Sequence, residues 1–270
     1  MRFYYKNINK EFISFIRLET CLFITAISVA GYLIFNDFGT KILLLSLSIF
    51  LGSAASYAYN HITDMKEDII NNGRLNFFVE KTKIGMLLVV LLFISGFFIA
   101  LNLSEQSKIL YLILMILSVA YSGFRIKKTL LKNFYSGVTI TITFLIGSLT
   151  SSHLTIEIIK HLPFVFVFGF MLNLLGDIRG VEGDRKNKVL TIPLMLGIGA
   201  AKKLVYAMSF LFSVLVILVG VRAFYPLIPF MILISVFLYL DNHKKTRAAM
   251  LSSFTVFSLY LFILRIIGGV

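Results

Sequence analysis

A first group of polar side chains stands at helical spacing in the segment "YNHITDMKEDIINNGR", directly after a long apolar run. Asn60, Asp64 and Asp68 follow one another at intervals of four residues. Because four residues advance about 400° around an α-helix, a helix would place the three side chains in one stripe about 12 Å long. The spacing therefore predicts that all three side chains face one cavity.

A second group with the same pattern stands in "NLLGDIRGVEGDRKNK". Asn173 and Asp177 are again four residues apart. Asp184 follows Asp177 by seven residues, so it returns to within about 20° of Asp177 if the helix continues. We predict that this second stripe faces the same cavity as the first.

Carboxylates stacked on one helix face repel each other unless a cation lies between them. Mg²⁺ prefers oxygen ligands, keeps several waters and is usually shared with substrate phosphates, so two such stripes favour a bridged diphosphate. The alternative, ordinary capping at solvated helix ends, does not account for two matched motifs on one predicted membrane face. We predict metal binding by Asn60, Asp64, Asp68, Asp177 and Asp184, with the four aspartates as catalytic residues and Asn60 and Asn173 as substrate-binding residues.

Basic and aromatic residues accompany the two motifs. Arg74 follows the first motif, and "YSGFRIKKTLLKN" contains Tyr121, Lys127 and Lys128. Cations near magnesium carboxylates suit an anionic leaving group such as diphosphate. For any single Lys or Arg, membrane topology is an equally good explanation, and we single out Arg74, Tyr121, Lys127 and Lys128 as candidate substrate contacts.

Long apolar helices must position these motifs. The chain has 270 residues, of which 58% are hydrophobic and 14% charged, and its mean hydropathy is +0.90. Apolar runs of this length in a membrane form helices, because backbone polar groups in lipid must be satisfied internally. The sequence predicts an all-α integral membrane protein, one domain over 1–270, with nine spans around a central cavity, at 12–36, 41–59, 84–102, 108–123, 134–152, 162–176, 203–221, 224–240 and 249–267.

Basic residues are distributed unequally between the two sides of the predicted bundle. The N-terminal arm and the loops after the second, fourth, sixth and eighth spans carry most of the 26 Lys and Arg residues. The positive-inside rule then places the N-terminus and both acidic motifs on the cytoplasmic side of the cell membrane. The net charge of +13 follows from topology and attraction to anionic lipids, so we expect no nucleic-acid partner. The two matched motifs also suggest a four-helix repeat followed by a ninth helix.

The sequence resembles the UbiA-type intramembrane prenyltransferases over nearly its whole length. The resemblance rests on the predicted spans, the two acidic motifs, and the segments "FIRLETC", "AYSGFRIKKT" and "EGDRKNKVLTIP". It implies that the aspartates bind Mg²⁺ and the diphosphate of a polyprenyl donor, and that Arg74, Lys127 and Lys128 assist its departure. The donor chain would lie in an apolar tunnel, and a lipophilic acceptor would attack the allylic carbon.

The segments look most like the branch that transfers geranylgeranyl groups to a glyceryl-phosphate lipid. Branches that prenylate aromatic quinone precursors or cyclise a prenyl diphosphate share most of these features. A secondary transporter or lipid carrier, in which the carboxylates bind coupling ions, is the alternative from another class. The second motif also departs from the family pattern, because Gly180 stands where the family usually has an aspartate, which weakens the predicted metal site there and leaves an inactive scaffold open.

Overall fold

A computed structural model describes residues 8–65, 69 and 75–267, and this part of the chain is helical. The predicted all-α fold is thereby confirmed. The predictions at Asp68 and Arg74 lie outside the described residues. The α-helices are α1 (Ile8–Ile16), α2 (Leu18–Phe35), α3 (Lys41–Thr63), α4 (Phe77–Glu80), α5 (Thr82–Ala100), α6 (Glu105–Gly123), α7 (Leu131–Ser148), α8 (Ile156–Lys186), α9 (Ile192–Leu196), α10 (Ile198–Val219), α11 (Ile228–Tyr239) and α12 (His243–Ile267).

Eight helical segments of the described chain are long and apolar enough to cross a membrane, whereas the sequence predicted nine spans. The predicted span at 134–152 corresponds to α7, which is not among the eight. Its polar first turn, with Lys132 and Asn133, and its threonines lower its hydropathy. Half of its residues are buried, and it packs against α2, α6 and α8. A helix this enclosed does not need an apolar surface all round.

Arg17 interrupts the first predicted span. It adopts a left-handed backbone conformation, φ 53° and ψ 57°, between α1 and α2. Its guanidinium Nε donates a hydrogen bond to His61 Nε2 at the end of α3, over 3.1 Å. Non-glycine residues rarely adopt this conformation, so the surrounding contacts must hold it. The break separates α1, which packs against α3 and α4, from the membrane-spanning helix α2.

The crossing of α2 and α7 depends on small residues. A Cβ atom added at Gly147 would overlap the carbonyl oxygen of Ser28, so the two backbones are in direct contact. The Asn36 side chain donates to the carbonyl oxygens of Gly147 and Ser148, at 3.2 and 3.0 Å. Close backbone approach and interhelical hydrogen bonds are the usual sources of helix association in membranes. They fix α7 at the centre of the bundle.

Helix α8 carries the second acidic motif beyond the membrane. Its 31 residues correspond to about 46 Å, whereas a hydrocarbon core is about 30 Å thick. Pro163 lies near the start of the helix without ending it. The C-terminal turns of α8 and the end of α3 lie at the same end of the bundle. Ion pairs link Asp64 to Lys127, in the segment between α6 and α7, and Asp177 to Lys132, in the first turn of α7.

Candidate functional site

The first acidic motif begins at the last turn of α3. The regular helix ends at Thr63, so Asp64 is the C-terminal cap rather than a residue within the helix. Its backbone N–H still donates to the carbonyl oxygen of Asn60 at 2.9 Å, which continues the helical hydrogen-bond pattern by one residue. Asn60 and Asp64 thus lie on one side of the helix end, as predicted.

Lys127 brings the polar groups of the first motif together. Its ammonium forms an ion pair with Asp64 and lies 3.0 Å from Thr63 Oγ1 and 3.4 Å from Asn60 Oδ1. Asn60 Oδ1 also accepts a hydrogen bond from Ser122 Oγ at 2.9 Å. The Lys127 and Asp64 side chains are only 10% and 14% exposed. The amide and carboxylate oxygens therefore converge on one cationic position at the end of the bundle.

The second motif continues along one helix, because α8 extends to Lys186. Asp177 and Asp184 share the buried side of α8 and face Lys132 in the first turn of α7. Lys132 Nζ lies 2.6 Å from Asp177 Oδ1 and 3.7 Å from Asp184 Oδ2. Asp177 is almost fully buried, with a 3% exposed side chain, and its Oδ2 has no hydrogen-bond partner among the described residues. A lysine thus occupies the position between the two carboxylates.

Asn173 holds the backbone of this lysine. Its side-chain nitrogen donates to the Lys132 carbonyl oxygen at 2.9 Å. Tyr121 lies beside Asn173, with its ring 5.2 Å from that of Tyr135. The two motif asparagines therefore act differently: Asn60 turns its oxygen toward a cation, whereas Asn173 uses its N–H on a helix backbone.

The segment between α6 and α7, together with the first turn of α7, supplies a lysine to each motif. A 3₁₀ turn, Ile126–Lys128, follows Arg125, which adopts a left-handed conformation with φ 56°. The Lys128 carbonyl oxygen accepts a hydrogen bond from Leu190 N at 3.1 Å, which ties this turn to the segment after α8. The short segment thereby positions Lys127 at the end of α3 and Lys132 against α8. The predicted role of Lys128 in contacting substrate stays a prediction.

A cavity of about 350 Å³ opens beside the two motifs. Asn60 and Asn173 both line it, on α3 and α8, and so does Tyr121. Among the described residues that line the cavity, none is an aspartate. The rest of the wall is mixed. Ile24, Ile49, Leu114, Met115, Ile140 and Met250 contribute apolar surface, and Ser53, Thr139 and Thr143 contribute hydroxyl groups. A cavity that combines charged, polar and apolar side chains suits an amphiphilic molecule.

Three arginines line the same cavity: Arg179 on α8, Arg17 immediately before α2, and Arg247 near the start of α12. Arg179 is close enough to the other two for their charges to affect it. Arg247 approaches Glu19, with 3.7 Å between the guanidinium and carboxylate atoms, and Arg17 lies over the ring of Tyr57. Sequence reasoning did not combine them, because they come from α8 and from the starts of α2 and α12. The sequence marks them as candidate site residues only by their position near the ends of apolar spans.

The oxygen donors of the first motif suit a hard divalent cation. Asn60 Oδ1 and Asp64 Oδ1 point at the same ammonium group, so a cation at that position would contact both oxygens. Within the described ranges no group of three or more His, Cys, Asp or Glu side chains forms a metal-binding cluster, and Asp68, the third predicted ligand, lies outside them. The second motif offers only Asp177 and Asp184, and Lys132 stands between them.

Sequence comparison identifies relatives of this arrangement. The model of the "UbiA prenyltransferase family" matches residues 20–264. The chain is 25% identical over 220 residues to the digeranylgeranylglyceryl phosphate synthase of Methanocaldococcus jannaschii, an alignment that covers 77% of this chain and 74% of that protein. It is 26% identical over 220 residues to the synthase of the same name from Methanococcus maripaludis, with 77% and 75% covered.

Solved structures share the fold. A UbiA homolog from Archaeoglobus fulgidus bound to GPP and Mg²⁺ superimposes with a TM-score of 0.80 at 16% sequence identity, covering 96% of this chain and 99% of that one. A UbiA homolog from Aeropyrum pernix K1 gives a TM-score of 0.74 at 16% identity, with 92% and 98% covered. At these identities the likeness establishes the fold of the helix bundle.

Proposed function

The chain belongs to the UbiA prenyltransferase family, and we propose that it transfers a geranylgeranyl group from its diphosphate to a glyceryl-phosphate lipid. It is a multi-pass membrane protein. The names of the methanogen relatives support this choice of substrates. The observation that carries the proposal is the cavity, which Asn60 of α3 and Asn173 of α8 line together with apolar side chains. We infer that the end with the two asparagines, its polar end, faces the cytoplasm, on the strength of the basic-residue distribution.

The polar end of the cavity would receive the donor diphosphate. Lys127 is 10% exposed and already adjoins Asn60 and Asp64, so it can move from these oxygens to a phosphate oxygen without crossing the bundle. We assign the predicted ligands Asp64 and Asp68, with the Asn60 carbonyl, to Mg²⁺, and the GPP and Mg²⁺ bound by the Archaeoglobus homolog support this assignment. Bound magnesium supplies Lewis-acid polarisation of the phosphate oxygens. Lys128 and Arg74 remain candidates for further contacts with the diphosphate.

In the proposed reaction the allylic C–O bond of the donor breaks, and the diphosphate leaves with the electron pair. The hydroxyl oxygen of the acceptor forms the new ether bond to the allylic carbon and loses its proton to solvent or to the departing diphosphate. The apolar side chains of the cavity exclude water from the carbocation, which water would otherwise capture. The ring faces of Tyr57 and Tyr121, which line the cavity, can stabilise its positive charge.

The arginines supply the observation that favours a phosphate-bearing acceptor. Arg17, Arg179 and Arg247 line the cavity together. Arginine presents planar sets of N–H donors that match phosphate oxygens, and three guanidinium groups repel one another until an anion lies between them. A phosphate monoester, with close to two negative charges at neutral pH, fits this cluster better than an aromatic acid with one charge.

Purified protein with Mg²⁺ and geranylgeranyl diphosphate tests the proposal. Four conditions are compared: geranylgeranylglyceryl phosphate, the same lipid without phosphate, 4-hydroxybenzoate, and no acceptor. We expect diphosphate release and an ether product with the phosphate lipid alone. A product with 4-hydroxybenzoate, or a cyclised product without acceptor, would assign the protein to another branch of the family. The absence of diphosphate release under all four conditions would refute the proposed enzyme activity.

The Arg247→Met variant tests the acceptor assignment. We expect its KM for the phosphate lipid to rise by roughly tenfold or more, because a charge-assisted hydrogen bond to phosphate is lost. Its KM for the donor should change less than its KM for the phosphate lipid, since Asn60, Asp64 and Lys127, and not Arg247, are assigned to the diphosphate. Lys244→Met, an exposed position one helical turn before Arg247, is the matched control. Equal KM values for Arg247→Met and the control would exclude Arg247 from the acceptor site.

A further inference from the structure

The second acidic motif contacts the Lys132 ammonium, whereas the first contacts that of Lys127. Lys132 Nζ lies 2.6 Å from Asp177 and 3.7 Å from Asp184, and its side chain is 8% exposed. A divalent cation that used both carboxylates would have to occupy the space of this ammonium or lie within about 4 Å of it. At that distance the repulsion between the two cations opposes metal binding.

Lys132 has little freedom to leave this position. It lies in the first turn of α7, a helix packed along its length against α8. The Asn173 side chain, a predicted substrate contact, instead donates to the Lys132 carbonyl oxygen. Removal of the ammonium would also leave Asp177 as a charged group buried without a cation, which is strongly unfavourable. Lys127 differs in its setting: it lies on a short 3₁₀ turn rather than in a packed helix, and it adjoins the neutral Asn60 as well as its ion-pair partner Asp64.

Among the described residues, the second motif also lacks a third carboxylate beside Asp177 and Asp184. Gly180, one turn after Asp177, carries no side chain where the family usually has an aspartate. A Cβ atom added there would meet nothing within 4 Å, so the missing carboxylate is not explained by lack of space. Two carboxylates with one ammonium leave a single negative charge, which is a weak attraction for a second magnesium ion.

We propose that this chain binds one divalent cation, at the first motif, and that the Lys132 ammonium takes the place of a second cation at Asp177 and Asp184. The inference rests on the proposed function and deepens it, because it defines which cations surround the diphosphate. It replaces the sequence prediction that both motifs ligate metal. A fixed ammonium would place one positive charge on the α8 side at every magnesium concentration.

Counting bound metal tests this inference independently of prenyl transfer. Mn²⁺ binding to the purified protein is measured by electron paramagnetic resonance with inorganic pyrophosphate present, so no acceptor or turnover is needed. We expect one Mn²⁺ per wild-type chain. Asp64→Asn should abolish this binding, whereas Asp184→Asn, the matched loss of a carboxylate at the second motif, should leave one Mn²⁺.

Two variants test the replacement itself. Lys132→Met combined with Gly180→Asp removes the ammonium and restores a third carboxylate, and we expect it to bind two Mn²⁺ when purified with the metal. Gly180→Asp alone retains Lys132, so it should still bind one, and its folding does not depend on breaking the ion pair.

Two Mn²⁺ in the wild type, with one lost in Asp184→Asn, would overturn the inference, because Lys132 would then yield to a metal ion. A double variant that folds but still binds one Mn²⁺ would also overturn it. The absence of Mn²⁺ from the wild type would refute both this inference and the magnesium assignment. Diphosphate release in the transfer assay would still decide the proposed activity separately.

Discussion

The buried ion pair between Lys132 and Asp177 leads to a prediction about stability. Removal of one partner of a buried pair leaves an uncompensated charge, at a cost of about 3–5 kcal/mol. Lys132→Met should reach the upper part of this range, because Asp177 is 3% exposed and its Oδ2 has no hydrogen-bond partner among the described residues. Asp177→Asn should cost less, since Asp184 remains 3.7 Å from the ammonium.

The double variant, Lys132→Met with Asp177→Asn, should be more stable than Lys132→Met alone. It removes both buried charges and leaves side chains of similar size, so its stability should return to within about 1 kcal/mol of the wild type. The coupling between the two positions is then at least about 4 kcal/mol, above the range of about 0.5–3 kcal/mol that is usual for residues in one ion-pair network. The order of stability is therefore wild type, double variant, Asp177→Asn and last Lys132→Met.

Thermal unfolding in detergent with EDTA measures this order, because chelation prevents a metal ion from replacing the lost ammonium. For a chain of this size about 1 kcal/mol corresponds to about 2 °C, so Lys132→Met should unfold roughly 6–10 °C below the wild type. A Lys132→Met protein as stable as the wild type would refute the buried ion pair. A double variant as unstable as the sum of the two single variants would refute the coupling.

Three further changes test the site and the packing that positions it. Asp64→Asn should lower diphosphate release by about 100-fold or more in the transfer assay, because a charged group at the reacting phosphates is lost. Lys202→Met, at a surface ion pair, is the control and should have no effect. Equal rates for the two variants would contradict the assignment of Asp64 to the metal site. Gly147→Ala should lower the free energy of unfolding by about 1–3 kcal/mol through overpacking at the crossing of α2 and α7. Gly199→Ala, where the added carbon meets nothing within 4 Å, is its control in thermal unfolding, and equal stabilities would contradict the tight crossing. Asn36→Leu should lower the melting temperature at least as much, because it removes both interhelical hydrogen bonds and the acceptor of the Ser151 backbone N–H. An unchanged melting temperature would show that these hydrogen bonds contribute nothing.

Hydropathy and helical periodicity predicted much of the fold from the sequence. Each predicted span overlaps a helix of the structure, although several ends differ by more than a few residues, as for 162–176 within α8 (Ile156–Lys186). Asp184 shares the helix of Asp177 because α8 continues to Lys186. Periodicity did not predict the backbone conformation at positions where contacts between distant residues determine it. Arg17 breaks the first span in a left-handed conformation that its residue type disfavours, and its hydrogen bond to His61 is a contact between distant parts of the chain.

The basic residues of the site were harder to predict, because a basic residue at a membrane surface can reflect either membrane topology or a binding site. Lys132 stands in a basic loop, where topology alone accounts for a lysine, and only the packing of α7 against α8 reveals that it is buried. Arg247 is equally ordinary as a basic residue at the start of a span. Its convergence with Arg17 and Arg179 depends on the arrangement of three helices, which local sequence does not contain.

The two motifs also show why matched spacing does not establish matched chemistry. The interval from Asn60 to Asp64 equals that from Asn173 to Asp177, yet each asparagine contacts a different part of a lysine. Asn60 accepts from the Lys127 ammonium at the end of a helix, whereas Asn173 donates to the Lys132 backbone within the bundle. The first arrangement leaves an oxygen and a movable cation beside the cavity, and the second fixes a cation behind its wall. If the motifs descend from a repeated unit, their present difference lies in the lysine that each one holds.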